Sequence, residues 1–325
     1  MDAGVKFLLI VIIVLLSVVL LAFIASLAVS YIAGKMIANM IMKAYQKPFE
    51  KQKESDIKYG FGDAYEDYDN LWERHPFTLE RPGATLSCEY VVNKESTGGR
   101  KKVAIICHGH TVLRAADFKY GKMFYKMGYN LIFFDERYFG ESTGEYCTLG
   151  MLESEDIAAL IKEARRIFGK DAFIATHGES MGAASELLAL AYEKPDLVVA
   201  DCPFADTEML VLNLAKKSVG PFAPYATLFA RRIGIKRADY DLAKVNPIEA
   251  VKETDVPVCF IHGADDNYIP CGHSKGMYES CKNEDSELHL IPGADHAMSV
   301  AVDKAAYEKI LRDFVTKIEK KADLN

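Results

Sequence analysis

The 325-residue chain is 50% hydrophobic and 26% charged, with a formal net charge of −7. That is the composition of one enzyme-sized globular core with room for an appendage. With no basic footprint and no nucleic-acid motif, nucleic acid is excluded as an expected partner. Residues 7–34 then carry no charged side chain, a run of 28 residues where about 20 suffice to cross the hydrocarbon core of a bilayer. A cleavable signal peptide is the alternative, with Ser26–Ala28 as a possible processing site, but its apolar region usually spans only ~7–15 residues. No polar face interrupts the run, as a soluble buried helix would need. The expectation is a single transmembrane anchor over 7–34. Lys6 precedes it, whereas Lys35, Lys43, Lys47, Lys51 and Lys53 follow it, so the positive-inside rule expects the domain on the cytoplasmic side. Seven cysteines, an odd number, include Cys107, Cys202 and Cys259 in or beside apolar runs. Dispersed core thiols of that kind agree with a reducing compartment.

Residues 35–71 read as a charged, tyrosine-rich juxtamembrane linker, and a catalytic-domain candidate spans 72–325. Short apolar runs over 86–92, 102–109, 130–135, 172–176 and 197–201 alternate with helical patterns over 115–127, 153–168 and 181–193. The alternation resumes at 256–263 and 287–293 and ends in a helix whose apolar face is Ala306, Tyr307, Ile310, Leu311, Phe314, Val315 and Ile318. Strand-length runs spaced by amphipathic stretches indicate βαβ units, an α/β fold with a mostly parallel sheet. Residues 205–250 break the rhythm. An insertion at the carboxyl end of such a sheet is expected to form a helical cap, with an oligomer contact or a second membrane-touching surface as the alternatives.

The stretch GESMG (178–182) places Ser180 between Gly178 and Gly182, after a strand-like run and before a helical one. This is the demand of a nucleophile elbow: the serine sits on a tight turn, and a side chain at either glycine would strike neighbouring backbone. A serine that merely caps a helix explains the serine but not the paired glycines. A serine hydroxyl also needs a general base oriented by a carboxylate, here expected in chain order serine, acid, histidine after successive strands. Asp265 and Asp266 follow one strand and His296 the next. The oxyanion hole requires two backbone N–H groups, expected from Met181 and, after Gly109, from His110. The His-x-His of that loop lacks the further ligands of a zinc site, and neither metal nor cofactor is expected.

The segments HGHT (108–111), DERYFGES (135–142), HGESMGAA (177–184), ADCPFAD (200–206), HGADDNYIP (262–270) and PGADHAMS (292–299) resemble those of α/β-hydrolases. The closest likeness is to a bacterial group with an N-terminal membrane segment, described as serine aminopeptidase-like or esterase-like. The resemblance implies an α/β-hydrolase fold from about Trp72 onward and assigns the acid to Asp266 rather than Asp265. It maps the nucleophile to Ser180, the base to His296 and the oxyanion donors to His110 and Met181. In such hydrolases the loop carrying Asp135, Arg137, Gly140 and Ser142 braces the site floor. Glu179 is expected to be a hydrogen-bonded carboxylate rather than a second catalytic acid. The functional expectation is a serine hydrolase acting on a small-molecule ester, short- or medium-chain or lipid-derived, and anchored to the membrane by its N-terminal helix. A peptidase or amidase on the same triad and a non-catalytic binding module are the alternatives, and the oligomeric state stays open.

Overall fold

The computed structural model describes residues 2–96 and 100–322. By contact density the chain divides into Ile41–Thr207 with Ala243–Asn325, and Met1–Met40 with Glu208–Leu242.

Helix α1 (Ala3–Met42) opens the chain, uninterrupted because no proline breaks its hydrogen-bond ladder. It is long and apolar enough to cross a membrane, a description that a signal sequence near the N-terminus also meets. Two short helices come next, α2 (Phe49–Lys58) and α3 (Gly62–Asn70). They lie in the segment expected to be a linker, yet they bury Gln52, Asp56, Ala64 and Tyr65. Strands β1 (Glu73–Arg81) and β2 (Ala84–Val92) form a hairpin whose turn places Gly83 at φ 73°, a backbone conformation natural to glycine.

The βα alternation then runs as the sequence pattern indicates. Strand β3 (Lys102–Cys107) leads to α4 (Phe118–Lys126), and β4 (Asn130–Phe134) to α5 (Glu153–Phe168). Strand β5 (Phe173–Glu179) leads to α6 (Met181–Ala189), and β6 (Leu197–Asp201) to the insertion helices α7 (Thr207–Val219) and α8 (Ala223–Ala238). After α9 (Pro247–Glu253) come β7 (Val258–Gly263), α10 (Gly272–Ser280), β8 (Glu287–Ile291), α11 (Ser299–Val302) and α12 (Lys304–Ala322).

The strands form one eight-stranded sheet in the order β1-β2-β4-β3-β5-β6-β7-β8. Pairings β1–β2 and β2–β4 are antiparallel, and every pairing from β4 to β8 is parallel. Both faces are covered, as parallel sheets require. On β3, Val103, Ile105 and Cys107 point into one apolar cluster, and Ala104 and Ile106 into the other. From β3 the chain first adds β4 on one side and then β5 on the other. The loops leaving β3 and β5 therefore diverge and open a crevice at the carboxyl end of the sheet, the usual ligand position in such folds.

Strand β1 has no counterpart among the sequence expectations. It is an edge strand, mostly exposed, with Pro76 and a Glu–Arg pair at each end. Edge strands carry such residues because they resist pairing with another chain, and the same residues dilute the strand signal.

In the unit of Met1–Met40 and Glu208–Leu242, α8 lies against α1. A side chain at Gly34 would strike the Ala226 carbonyl and the Phe229 side chain. Tyr31 meets Phe229 edge-on at 5.5 Å between ring centroids, and Phe23 meets Tyr225 at 6.5 Å. The middle of α8 is tied to the segment that follows it by a bidentate pair, Arg231 to Asp241 at 2.6 and 3.0 Å.

Candidate active site

Ser180 stands between the last residue of β5 and the first of α6, at φ 56° and ψ −107°. A non-glycine residue at positive φ costs on the order of 1–3 kcal/mol and persists only where its surroundings enforce it. The two flanking glycines provide the room. A Cβ on Gly178 would strike the backbone of Gly182 and Ala183, and one on Gly182 the carbonyls of Cys107 and His108. The Ser180 amide donates to the Asp201 carbonyl at 2.8 Å, which fixes the turn to β6.

The structure brings Ser180, His296 and Asp266 together. Ser180 Oγ lies 2.9 Å from His296 Nε2, and His296 Nδ1 lies 2.7 Å from Asp266 Oδ2. The carboxylate accepts at Nδ1–H, which leaves Nε2 unprotonated and able to accept the serine proton. Asp265 is exposed and its amide donates to the Ala294 carbonyl, so of the two neighbouring acids only Asp266 meets the imidazole. Asp295 ties the two loops together, accepting from the amides of His296 (2.8 Å) and Asn267 (3.0 Å).

Asp266 is buried, and burial alone would raise its pKa. Hydrogen bonds from His262 and His296, the charge of His296 and the Ile269 amide outweigh it, and the carboxyl is held well below the usual range. Its other oxygen, Oδ1, accepts from the amides of Tyr268 and Ile269, both at 2.8 Å. His262, absent from the sequence expectations, braces the same carboxylate. Its Nε2 lies 2.8 Å from the Ile269 carbonyl and 3.2 Å from Asp266 Oδ2, while Nδ1 meets Ser274 Oγ at 2.7 Å. Its signal was the histidine that opens the strand-ending HGADDN, four residues ahead of the acid it supports.

Met181 is the first residue of α6, and the N–H groups of a first helical turn have no partner within the helix. Gly109 comes close to Ser180: a Cβ there would sit 3.7 Å from Ser180 Cβ and 3.3 Å from the Glu179 carbonyl. His110 is next in the chain, which turns at Thr111 (φ 74°). Neither histidine of this loop is spare for a metal. His108 bonds the Gly109 carbonyl through Nδ1 (2.8 Å) and accepts from the Glu136 amide at Nε2 (2.9 Å), while His110 Nε2 lies 3.1 Å from the Ile41 carbonyl. Burial lowers the pKa of both rings, keeping them neutral. Cys202, Asp266 and His296 also converge within 4.8 Å of one another. Two of them already bond each other, and burial raises the pKa of the Cys202 thiol, which keeps it protonated.

Beneath Ser180 lies a buried polar cluster. The Tyr120 hydroxyl donates to Glu179 Oε2 at 2.6 Å, and the Lys119 ammonium lies 3.6 Å from the same oxygen. His177 Nε2 meets the Tyr307 hydroxyl at 2.8 Å, and Tyr307 also hydrogen-bonds Asp201. Tyr307 thus departs from the expectation of a purely apolar α12 face. Burial pushes His177 down to about 3, and burial together with Glu179 lifts Asp201 to about 7. The neighbouring loop is braced as its residue types suggest. Arg137 grips Asp156 with two bonds of 2.7 Å, and Ser142 Oγ donates to the Asp135 carbonyl at 2.5 Å. Asp135 Oδ1 and Oδ2 accept from the amides of Arg114 and Glu141, and a side chain at Gly140 (φ 56°) would strike the Asp135 carboxylate.

Residues 144–321 match the family described as "Prolyl oligopeptidase family", more than half of the chain. The chain belongs to that family. Among similar proteins, the uncharacterized protein YqkD of Bacillus subtilis (strain 168) is 32% identical over 218 residues, covering 65% of this chain and 70% of that one. The lysophosphatidylserine lipase ABHD12 of Danio rerio is 23% identical over 220 residues, covering 64% of this chain and 54% of that one. Among solved structures, the Pyrococcus furiosus esterase Pf2001 superposes with a TM-score of 0.63 at 23% identity, covering 77% of this chain and 95% of that one. The acylaminoacyl peptidase of Pyrococcus horikoshii gives 0.57 at 15% identity, covering 78% and 43%. The structural likenesses fix an α/β-hydrolase fold, and with the family they make the protein a hydrolase.

Proposed function

We propose that this protein is a membrane-anchored serine hydrolase that cleaves carboxylic esters through an acyl-enzyme. The observation that carries the reading is the continuous relay from Ser180 through His296 to Asp266, 2.9 and 2.7 Å long, on an elbow at positive φ. His296 Nε2 takes the Ser180 proton as Oγ attacks the acyl carbonyl. The N–H groups of His110 and Met181 receive the developing oxyanion. Collapse breaks the ester bond, and the same imidazole passes its proton to the departing alcohol. Water, deprotonated in turn by His296, then releases the acid and restores Ser180.

An uncharged ester of short or medium acyl chain, or one derived from a lipid, suits an enzyme held at a bilayer by α1. The lysine-rich flank after α1 supports a cytoplasmic domain. The similar proteins described as an esterase and a lipase agree with ester chemistry. The family match supports a second reading, cleavage of amides or peptides by the same triad.

The test is hydrolysis of activated esters and amino-acyl amides by the full chain in detergent, alongside fluorophosphonate labelling. Ester turnover and labelling that both vanish in Ser180→Ala are expected. Faster amide than ester turnover would favour the peptidase. An unlabelled wild type would point to a binding module.

A further inference from the structure

We propose that the tip of the α7–α8 hairpin, Lys216–Tyr225, rests on the phospholipid headgroups where α1 leaves the bilayer, with anionic headgroups as its preferred contact. This rests on the membrane-spanning reading of α1.

The first step is a length. Helix α1 has 40 residues and so extends roughly 60 Å at ~1.5 Å per residue, about twice a hydrocarbon core. Half of it must project beyond the lipid tails. The charge-free run begins after Lys6, and about 20 residues counted from Phe7 consume the ~30 Å core near Ser26. Surface exposure changes at the same place. Phe7–Ala25 are exposed except at Val11, whereas from Ser26 onward one face, including Ser30, Gly34, Ile37 and Ala38, is covered. Polar side chains enter there too: Ser26 and Ser30 each donate to the carbonyl one turn back at 2.8 Å.

The second step is a register. Along α8, Tyr225 meets Phe23, Phe229 meets Tyr31, Ala226 and Ala230 meet Gly34, and Arg237 donates to Asn39 at 2.5 Å. The ring contacts of Tyr225 and Phe229 and the Arg237 bond ascend along both helices, so the two run parallel. The backbone at the start of α8 meets Gly34, about 12 Å beyond Ser26, and the Tyr225 ring reaches back toward the lipid to Phe23. The tip that precedes α8 therefore lies nearer the lipid than Gly34, at the depth of the headgroups.

The chemistry of the hairpin matches this placement. Its tip reads KKSVGPFAPY, with Lys216 and Lys217 as its only charges, both exposed, and Tyr225 40% exposed. Lysines beside an aromatic ring are the side chains that settle at a bilayer interface, and an anionic surface draws such lysines to it. The basic residues Arg231, Arg232, Lys236 and Arg237 all lie in the second half of α8, on the side of the tip away from the lipid.

The experiment places tryptophan at one site at a time in the full chain, reconstituted in phosphatidylcholine vesicles with roughly a third phosphatidylglycerol. Native Trp72, buried in the other unit, gives a constant background. Tyr225→Trp should be quenched most by nitroxide at the headgroup. Leu16→Trp should be quenched most by nitroxide deep in the acyl chain. Lys236→Trp, roughly 16 Å further along α8 at ~1.5 Å per residue, should respond to neither. Adding Lys216→Glu and Lys217→Glu to Tyr225→Trp should at least halve its headgroup quenching. If Leu16→Trp is quenched as expected but Tyr225→Trp behaves like Lys236→Trp, the docked tip is refuted while the span stands. Shielding of Tyr225→Trp that grows with protein density would assign the tip to a second copy of the chain and equally overturn the proposal. If Leu16→Trp escapes deep quenching, the spanning reading itself falls.

Discussion

Asp266 has four donors converging on its two oxygens: the imidazoles of His296 and His262 on one and the amides of Tyr268 and Ile269 on the other. In the proposed reaction a carboxylate so held keeps its charge available to stabilise the imidazolium that forms on His296. Asp266→Asn removes that charge and favours the wrong tautomer. It should lower kcat on an activated ester about 1,000- to 10,000-fold with little change in KM. His262→Leu tests the support rather than the acid. The depressed pKa means that Asp266 holds its charge down to low pH and loses it only as pH falls through the folded value. With one donor gone the carboxylate becomes more basic and holds the imidazolium of His296 more strongly, so the acid limb of the kcat/KM profile, which reports protonation of the base, should move to higher pH. An acid limb that stays in place would show that His262 serves the loop alone.

The β5–α6 elbow is an element whose geometry could be read from five letters, because the steric requirement is local. Gly182 faces the carbonyls of Cys107 and His108, backbone atoms at the end of a central strand that cannot retreat. Gly182→Ala should therefore cost about 1–3 kcal/mol and abolish fluorophosphonate labelling of Ser180, measured by thermal melting and gel fluorescence. The face of α12 was equally legible from its three-and-four spacing, with Tyr307, Leu311, Phe314, Val315 and Ile318 all buried. What escaped was hidden by composition or by loop conformation. Strand β1 hides behind Pro76 and its charges, and His262 acquires its role only when the loop folds Asp266, four residues on, back against it.

Helices α2 and α3 look like solvated linker because their buried groups are polar. Gln52 donates to Asp56 at 2.8 Å and Tyr65 donates to the same carboxylate at 2.6 Å. Tyr65 and Tyr68 pack on Phe118 with ring centroids 5.3 and 4.0 Å apart. A chain begun at Ile41 should keep the wild-type melting temperature of the hydrolase unit. One begun at Trp72 uncovers Phe118 and should melt lower or aggregate.

Across the molecule, two fully buried groups under Ser180 titrate in opposite senses. His177, lowered by burial to about 3, binds fewer protons folded than unfolded between that value and its ordinary 6.5. Its contribution to stability is complete above 6.5 and is lost as pH falls toward 3. Asp201, raised by burial and by Glu179 to about 7 from 3.8, binds more protons folded than unfolded across that interval. Its contribution is complete below 3.8 and is lost as pH rises through 7. From about pH 4 to 6.5 the two proton differences cancel, and the pair together should leave stability nearly flat. Removing one group unmasks the other at about 1.4 kcal/mol per pH unit. Asp201→Asn should therefore gain stability as pH rises from 4 to 6.5, and His177→Gln should lose it. Urea unfolding of the solubilised full chain at three pH values across that window measures both slopes. Slopes parallel to wild type in both variants would show that the two groups do not set the pH response. Opposite slopes would mean that the cluster beneath Ser180 keeps the elbow's foundation insensitive to pH where His296 must work.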